Sequence, residues 1–161
     1  MLDMFGDLFV DKEKEKCLQV LGEYGLPTAG YYWWVSYPKR AIDEIYRMHE
    51  NTNAVFFREE RKLIWEEVIT NEFDSRFLIA IETDSTFPFT QPSVYVKESD
   101  VDLKDAKHKY DNGSLCLFTP SAYSSKMTIL QIRNLACAWC FCADIYLRTD
   151  KKEWPAAEAG H

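Results

Sequence analysis

Between Asn53 and Val96 the chain runs through four short segments, at about 54–59, 62–69, 76–82 and 93–97, with no helical pattern between any two of them. Ile79 and Ile81 alternate with Ala80 and Glu82, and Val94 and Val96 flank Tyr95, which is the two-residue period of strands with one wetter face. A doubly wound parallel sheet would interleave helices with these strands. Their direct succession predicts an antiparallel meander instead.

Helical periodicity brackets this strand run. From about Lys39 to Glu50, Ile42, Ile45, Tyr46 and His49 share one helical face, with His49 read as its polar edge rather than a ligand. After an irregular stretch from Ser99 to Met127, Thr128 can cap a helix reaching about Leu147. Ile129, Ile132, Ala136, Trp139, Cys140, Ala143 and Ile145 to Leu147 make it apolar around most of its circumference, so it should be central and buried. The fold class is α+β: a helix, four strands, a long loop and a buried helix.

Residues 1–37 read as an N-terminal extension and 38–161 as the main domain, joined near Pro38. Within the extension, Asp11 can cap a helix to about Tyr24 that aligns Cys17, Val20, Leu21 and Tyr24, before Gly25, Pro27 and Gly30 stop it. Tyr31, Tyr32, Trp33, Trp34, Val35 and Tyr37 then form an aromatic cluster that is costly to leave in water. It either packs on the domain itself or, through Trp33 and Trp34, docks a partner.

A chain of 161 residues, 47% hydrophobic, can close one core without metals or disulfides. Its net charge of -7 repels a phosphate backbone, and Lys12, Lys14, Lys16, Arg58, Arg61 and Lys62 all alternate or interleave with glutamates. Nucleic acid is therefore not expected as a partner. Cysteines at 17, 116, 137, 140 and 142 are odd in number and crowd toward one apolar segment, which fits a reducing cytoplasm rather than a disulfide framework. Without a basic leader or about 18 uninterrupted apolar residues, neither export nor a membrane span is expected.

The chemistry concentrates in Lys107-His-Lys-Tyr-Asp-Asn-Gly-Ser-Leu-Cys-Leu-Phe-Thr-Pro120. Asn112-Gly113 favours a tight turn with positive φ, which would present Ser114, Leu115 and Cys116 in extended form at the sheet surface. Such a cysteine is pre-positioned. Cys137, Cys140 and Cys142, on an apolar helix, behave instead as small hydrophobes, and one cluster without a second ligand pair does not make a zinc site. No metal or other cofactor is expected.

Phe87-Pro-Phe-Thr-Gln-Pro-Ser-Val94, followed by Asn112-Gly-Ser-Leu-Cys-Leu117, resembles ubiquitin-conjugating enzymes. In that family a Tyr-Pro-Phe-x-x-Pro-x-Val segment leads into the fourth strand and Asn-Gly-x-Ile-Cys-Leu holds the thioester cysteine. With the order of elements, the resemblance covers about residues 38 to 150. It implies a ubiquitin-conjugating-enzyme-like fold. It also implies that Cys116 takes an acyl group from an activated C-terminal carboxylate and yields it to an amine, work suited to a nucleophilic thiolate.

The match departs from eukaryotic members where they carry His-Pro-Asn, since Ala106, Lys107 and His108 occupy those positions. His108, replacing the asparagine, is a candidate oxyanion donor or loop-shaping residue, against the plainer reading of an exposed loop histidine. Tyr110, Asp111 and Asn112 are candidate supporting residues; Asp111 either receives the amine's proton or is a plain turn residue.

The pattern His-x-Tyr-x-x-Gly-x-Leu-Cys-Leu, with a terminal Trp154-Pro, Glu158 and His161, looks like bacterial stand-alone relatives. Such relatives occur in antiphage operons with cGAS-like nucleotidyltransferases (CBASS) and in other bacterial ubiquitin-like operons. The resemblance implies, as donor of the acyl group, a cGAS-like nucleotidyltransferase or a ubiquitin-like protein, with or without an activating enzyme. His161 can fold back toward Cys116 or be a frayed end.

Two other classes compete. A noncatalytic binding module of the same fold typically lacks the cysteine, which this chain keeps. A Cys-His hydrolase would pair Cys116 with His108 or His161, but the chain holds only three histidines and no protease signature.

Overall fold

The computed structural model describes residues 32–151 and 153–155. The expected helix from Asp11 to Tyr24, Cys17, Tyr31 and His161 lie outside them. Among the described residues the order is α1 (Trp33–Ser36), α2 (Pro38–Asn51), β1 (Val55–Glu59), β2 (Lys62–Thr70), β3 (Arg76–Thr83), β4 (Ser93–Ser99), a 3-10 turn (Pro120–Ala122) and α3 (Ile129–Arg148). The four strands form one antiparallel sheet in the order β1-β2-β3-β4, the meander expected of consecutive strands. A register shift between Leu78 and Ile79 bulges β4 at its pairing with β3.

Local chemistry sets the ends of the helices. Pro38 opens α2, where its missing N-H is one that the first turn leaves unpaired in any case. At α3, the Thr128 hydroxyl accepts the Gln131 N-H at 3.1 Å while the Gln131 side chain accepts the Thr128 N-H at 2.8 Å. This capping box holds two donors at the helix entry. Arg148 closes the last turn, where a cation complements the carbonyl end of the helix.

One sheet face carries Leu63, Trp65, Phe77, Ile79, Ile81 and Val94 into the core, where Ile129, Ile132, Ala136, Trp139, Cys140 and Ala143 of α3 meet them. Ala41, Ile42, Ile45 and Met48 of α2 complete it. The buried face of α2 is thus rotated from the expected stripe: Met48 takes the inner position and His49 is exposed.

Trp33 and Trp34 are only 1% and 5% exposed, so neither ring forms the docking patch considered from sequence. The Trp33 indole donates to the Thr83 hydroxyl at 2.8 Å, that hydroxyl donates to the Leu63 carbonyl at 2.9 Å, and the Trp33 ring meets Phe87 edge-on at 4.5 Å. The aromatic segment is therefore continuous with the core, and the packed unit reaches back past Pro38.

Among the described residues, three buried carboxylates escape apolar-pattern reading, and each is held by cations and amides. Glu44, fully buried on α2, takes Arg40 at 2.6 Å and Arg47 at 2.8 Å, and accepts the Ile129 N-H at 3.1 Å. Arg40 also donates to the carbonyls of Ser125 and Met127. Glu67 accepts Arg133 through both its oxygens, at 2.8 and 3.0 Å, and the Asn53 N-H at 3.1 Å. Asp144 accepts from Asn71 and Arg148; against its burial, these contacts hold it below the ordinary carboxylate value.

Glu44 ties α2 to the entry of α3, so its loss leaves a buried N-H unpaired and two arginines without their partner. Glu44→Ala should lower stability by about 2–4 kcal/mol, measured as a shift of the urea midpoint at unchanged slope. A change below about 0.5 kcal/mol, the range of ordinary surface substitutions, would show that this junction is dispensable.

Candidate active site around Cys116

The outer edge of β4 positions the cysteine. Its Val94 carbonyl accepts the Leu115 N-H at 2.7 Å, which fastens a small hairpin along the sheet edge. In that hairpin Lys109 pairs antiparallel with Leu115, the Tyr110 N-H donates to the Ser114 carbonyl at 2.8 Å, and the Cys116 N-H donates to the His108 carbonyl at 2.8 Å. The turn closes with the Gly113 N-H on the Tyr110 carbonyl at 2.9 Å, and Gly113 has φ of +88°. Glycine alone adopts that conformation without strain from a Cβ. The Asn112 side-chain oxygen then accepts both the N-H and the hydroxyl of Ser114, at 2.9 and 2.7 Å. Asn112 is a turn-forming residue, and Asp111 is exposed at the turn.

Alternation decides where the sulfur goes. Leu115 packs into the apolar core, and Cys116, a buried free thiol, turns to the opposite face of the hairpin. The residue is 6% exposed, a narrower opening than a cysteine at the sheet surface would have. Polar groups meet it there. The thiol donates to the Phe118 carbonyl oxygen at 4.0 Å, and Tyr110 lies on the same face of the hairpin as Cys116. The contact with Cys116, followed by burial and the charge of that sulfur, holds the Tyr110 phenol above its ordinary value, against an opposing effect of Gln91.

The other described cysteines have no such setting. Burial pushes the thiols of Cys137, Cys140 and Cys142 up, which disfavours the thiolate on α3. Among the described cysteines, Cys116 is the one on a hairpin at the sheet edge rather than on α3.

His108 reaches this site through its backbone. With φ of +61° it leaves the extended path, and its ring packs edge-on against Trp154 at 4.9 Å. Its carbonyl takes two donors, Cys116 N-H and the Trp139 indole at 3.1 Å. Trp154 in turn lies 5.8 Å from Trp139 and 5.7 Å from Tyr146, ring centre to ring centre, with Lys107 above the Tyr146 ring. An aromatic box from α3 and the segment after it therefore supports the hairpin on the side of His108. On the other side Phe118 stacks on Tyr123, whose hydroxyl donates to the Pro88 carbonyl at 2.6 Å and is pushed up to about 12, mainly by burial.

Of the candidates from sequence, Tyr110 and Cys116 are brought to one face of the hairpin, Asn112 shapes the turn, and Trp33 and Trp34 belong to the core. Sequence reasoning did not single out Gln91, Trp139 or Phe118 as site residues. Gln91 sits inside the Phe87–Val94 motif.

No match was found among curated proteins or among solved structures. A family model described as Type II CBASS E2 protein matches residues 42–161, which is well over half of the chain and contains the β4 edge, the hairpin, Cys116 and α3. On that match the chain belongs to the E2-CBASS family.

Proposed function

We propose that the protein is a conjugating-enzyme-like transferase of bacterial antiphage defence, in which Cys116 carries a protein C-terminus as a thioester and passes it to an amine. The observation that carries this reading is the free Cys116 thiol, 6% exposed and fixed by backbone hydrogen bonds on a hairpin at the sheet edge. Membership of the E2-CBASS family supports the same chemistry and its setting in defence.

In the loading step the Cys116 thiolate attacks the carbonyl carbon of an activated C-terminus, a C-S bond forms, and the activating group leaves with the bonding electron pair. In transfer, an amine nitrogen attacks that carbon, the C-S bond breaks, the electron pair returns to sulfur, and the amine's proton passes to solvent or a nearby base. The donor we propose is the C-terminus of a cGAS-like nucleotidyltransferase, in keeping with a CBASS setting. A ubiquitin-like donor is the second reading.

A Cys-His hydrolase requires an imidazole aimed at the sulfur. The His108 ring packs on Trp154, which argues for a positioning role through its carbonyl. A noncatalytic module would have no use for a polar setting around one free thiol.

Mixing the protein with the nucleotidyltransferase and its activating partner should give an adduct on a non-reducing gel that thiol reductant removes. Cys116→Ala should abolish it, and Cys116→Ser should trap a slower, reductant-resistant oxyester. An adduct that persists in Cys116→Ala would end the carrier reading.

For His108 the prediction separates ring packing from proton chemistry. His108→Phe, which keeps an aromatic ring against Trp154, should retain transfer within about threefold, while His108→Ala should slow transfer and lower the melting temperature. A loss on the order of a hundredfold in His108→Phe at an unchanged melting temperature would assign the imidazole to the chemical step.

A further inference from the structure

The residue opposite Cys116 is held at both ends by tryptophans. With Lys109 opposite Leu115, the hairpin register sets His108 directly across from Cys116, whose N-H donates to the His108 carbonyl at 2.8 Å. A regular strand would leave the His108 ring on the face of the sulfur. Its φ of +61° is instead a left-handed conformation that residues other than glycine adopt rarely and keep where their neighbours hold it. Two neighbours do so: the Trp139 indole donates to the same carbonyl at 3.1 Å, and Trp154 meets the ring at 4.9 Å.

Apolar filling alone does not account for Trp139. It is 5% exposed on α3, where a phenylalanine would occupy much of the same space, and an indole brings in an N-H that is costly to bury without an acceptor. The acceptor it finds already holds the Cys116 N-H. Both strands of the hairpin are thereby anchored, one by the Leu115 N-H on the Val94 carbonyl at 2.7 Å and the other by the indole on His108. Cys116 lies next to the first anchor and opposite the second.

We propose that Trp139 is a positioning residue for acyl transfer, which sets the place of Cys116 through the His108 carbonyl, with Trp154 holding His108 in the conformation that offers that carbonyl. This rests on the reading of Cys116 as the acyl carrier. The bond to β4 fixes the hairpin along the sheet edge and leaves it free to swing about that edge; the bond to α3 stops the swing. Attack on a carbonyl carbon needs the reacting atoms about 3–3.5 Å apart and aligned, and a displacement of about 1 Å can cost on the order of a hundredfold in rate.

The test is hydrogen exchange read residue by residue by NMR, in the full chain without partners. In Trp139→Phe, which keeps a ring on α3 and removes the donor, the Cys116 amide should exchange roughly fivefold faster, as expected for loss of one neutral hydrogen bond, while amides of β2 and β3 stay as in wild type. Trp154→Ala should change the Cys116 amide in the same direction, and an unchanged rate would overturn the part assigned to Trp154. Unchanged exchange at Cys116 in Trp139→Phe would overturn the proposal. A rise shared equally by β2 and β3 would also overturn it, because it would mark a general loss of core stability.

Single-turnover transfer to hydroxylamine, normalised to the loaded enzyme so that a smaller folded fraction does not move it, adds the chemical step. Loaded Trp139→Phe should release its acyl group roughly tenfold more slowly than loaded wild type, and equal rates would overturn the positioning role. Should the variant fail to fold, wild type decides: the Trp139 indole proton and the Cys116 amide share one acceptor, so one opening should free both and their protection should agree within about threefold. An indole proton that exchanges freely while the Cys116 amide stays protected would overturn the proposal. Failure of wild type to load under any condition would count against the carrier reading, while exchange would still judge the two anchors.

Discussion

The structure depends on the burial of α3 against one face of the antiparallel sheet. Ile129, Ile132, Ala136, Trp139 and Ala143 remove a continuous apolar strip from water against Leu63, Trp65, Phe77, Ile79 and Ile81. At about 25 cal/mol per Å² such burial is the main favourable contribution to folding. It also fixes the site. Trp139, on that same helix, reaches out of the core to the His108 carbonyl, so the helix that closes the core also grips the strand beside the cysteine.

Charge is what makes this packing specific. Glu44, Glu67 and Asp144 are buried carboxylates, and each joins elements that apolar contact alone would let slide: α2 to the entry of α3, β2 to the second turn of α3, and the β2-β3 turn to its end. Burying a carboxylate is costly unless cations and amides replace its water. Here arginines and N-H groups do so at 2.6–3.1 Å, and the geometry they require sets the register of helix on sheet.

The polarity around Cys116 arises differently. The residue is buried, and its thiol meets the Phe118 carbonyl, while burial raises the thiols of the three cysteines of α3. Depth of burial alone would not separate Cys116 from Cys140 or Cys142, since all three are buried. What separates them is that Cys116 sits on a hairpin bonded to a sheet edge, where strand alternation sends Leu115 inward and the sulfur to the opposite side.

The strand run from Asn53, the capping residue Thr128, the apolar circumference of α3 and the turn at Asn112-Gly113 were all legible in the sequence, because each rests on contacts or torsions within a few residues. Glu44 at the Ile129 N-H, the Trp33 indole on Thr83, the diversion of the His108 ring to Trp154 and the placing of Tyr110 and Cys116 on one face of the hairpin were not legible. The first three join residues far apart in the chain, and the fourth follows from a hairpin register that one step of slippage would reverse. Periodicity determined which faces turn inward; only the three-dimensional meeting of those faces decided which polar atoms find one another, because a hydrogen bond needs an approach of about 3 Å that no local pattern encodes.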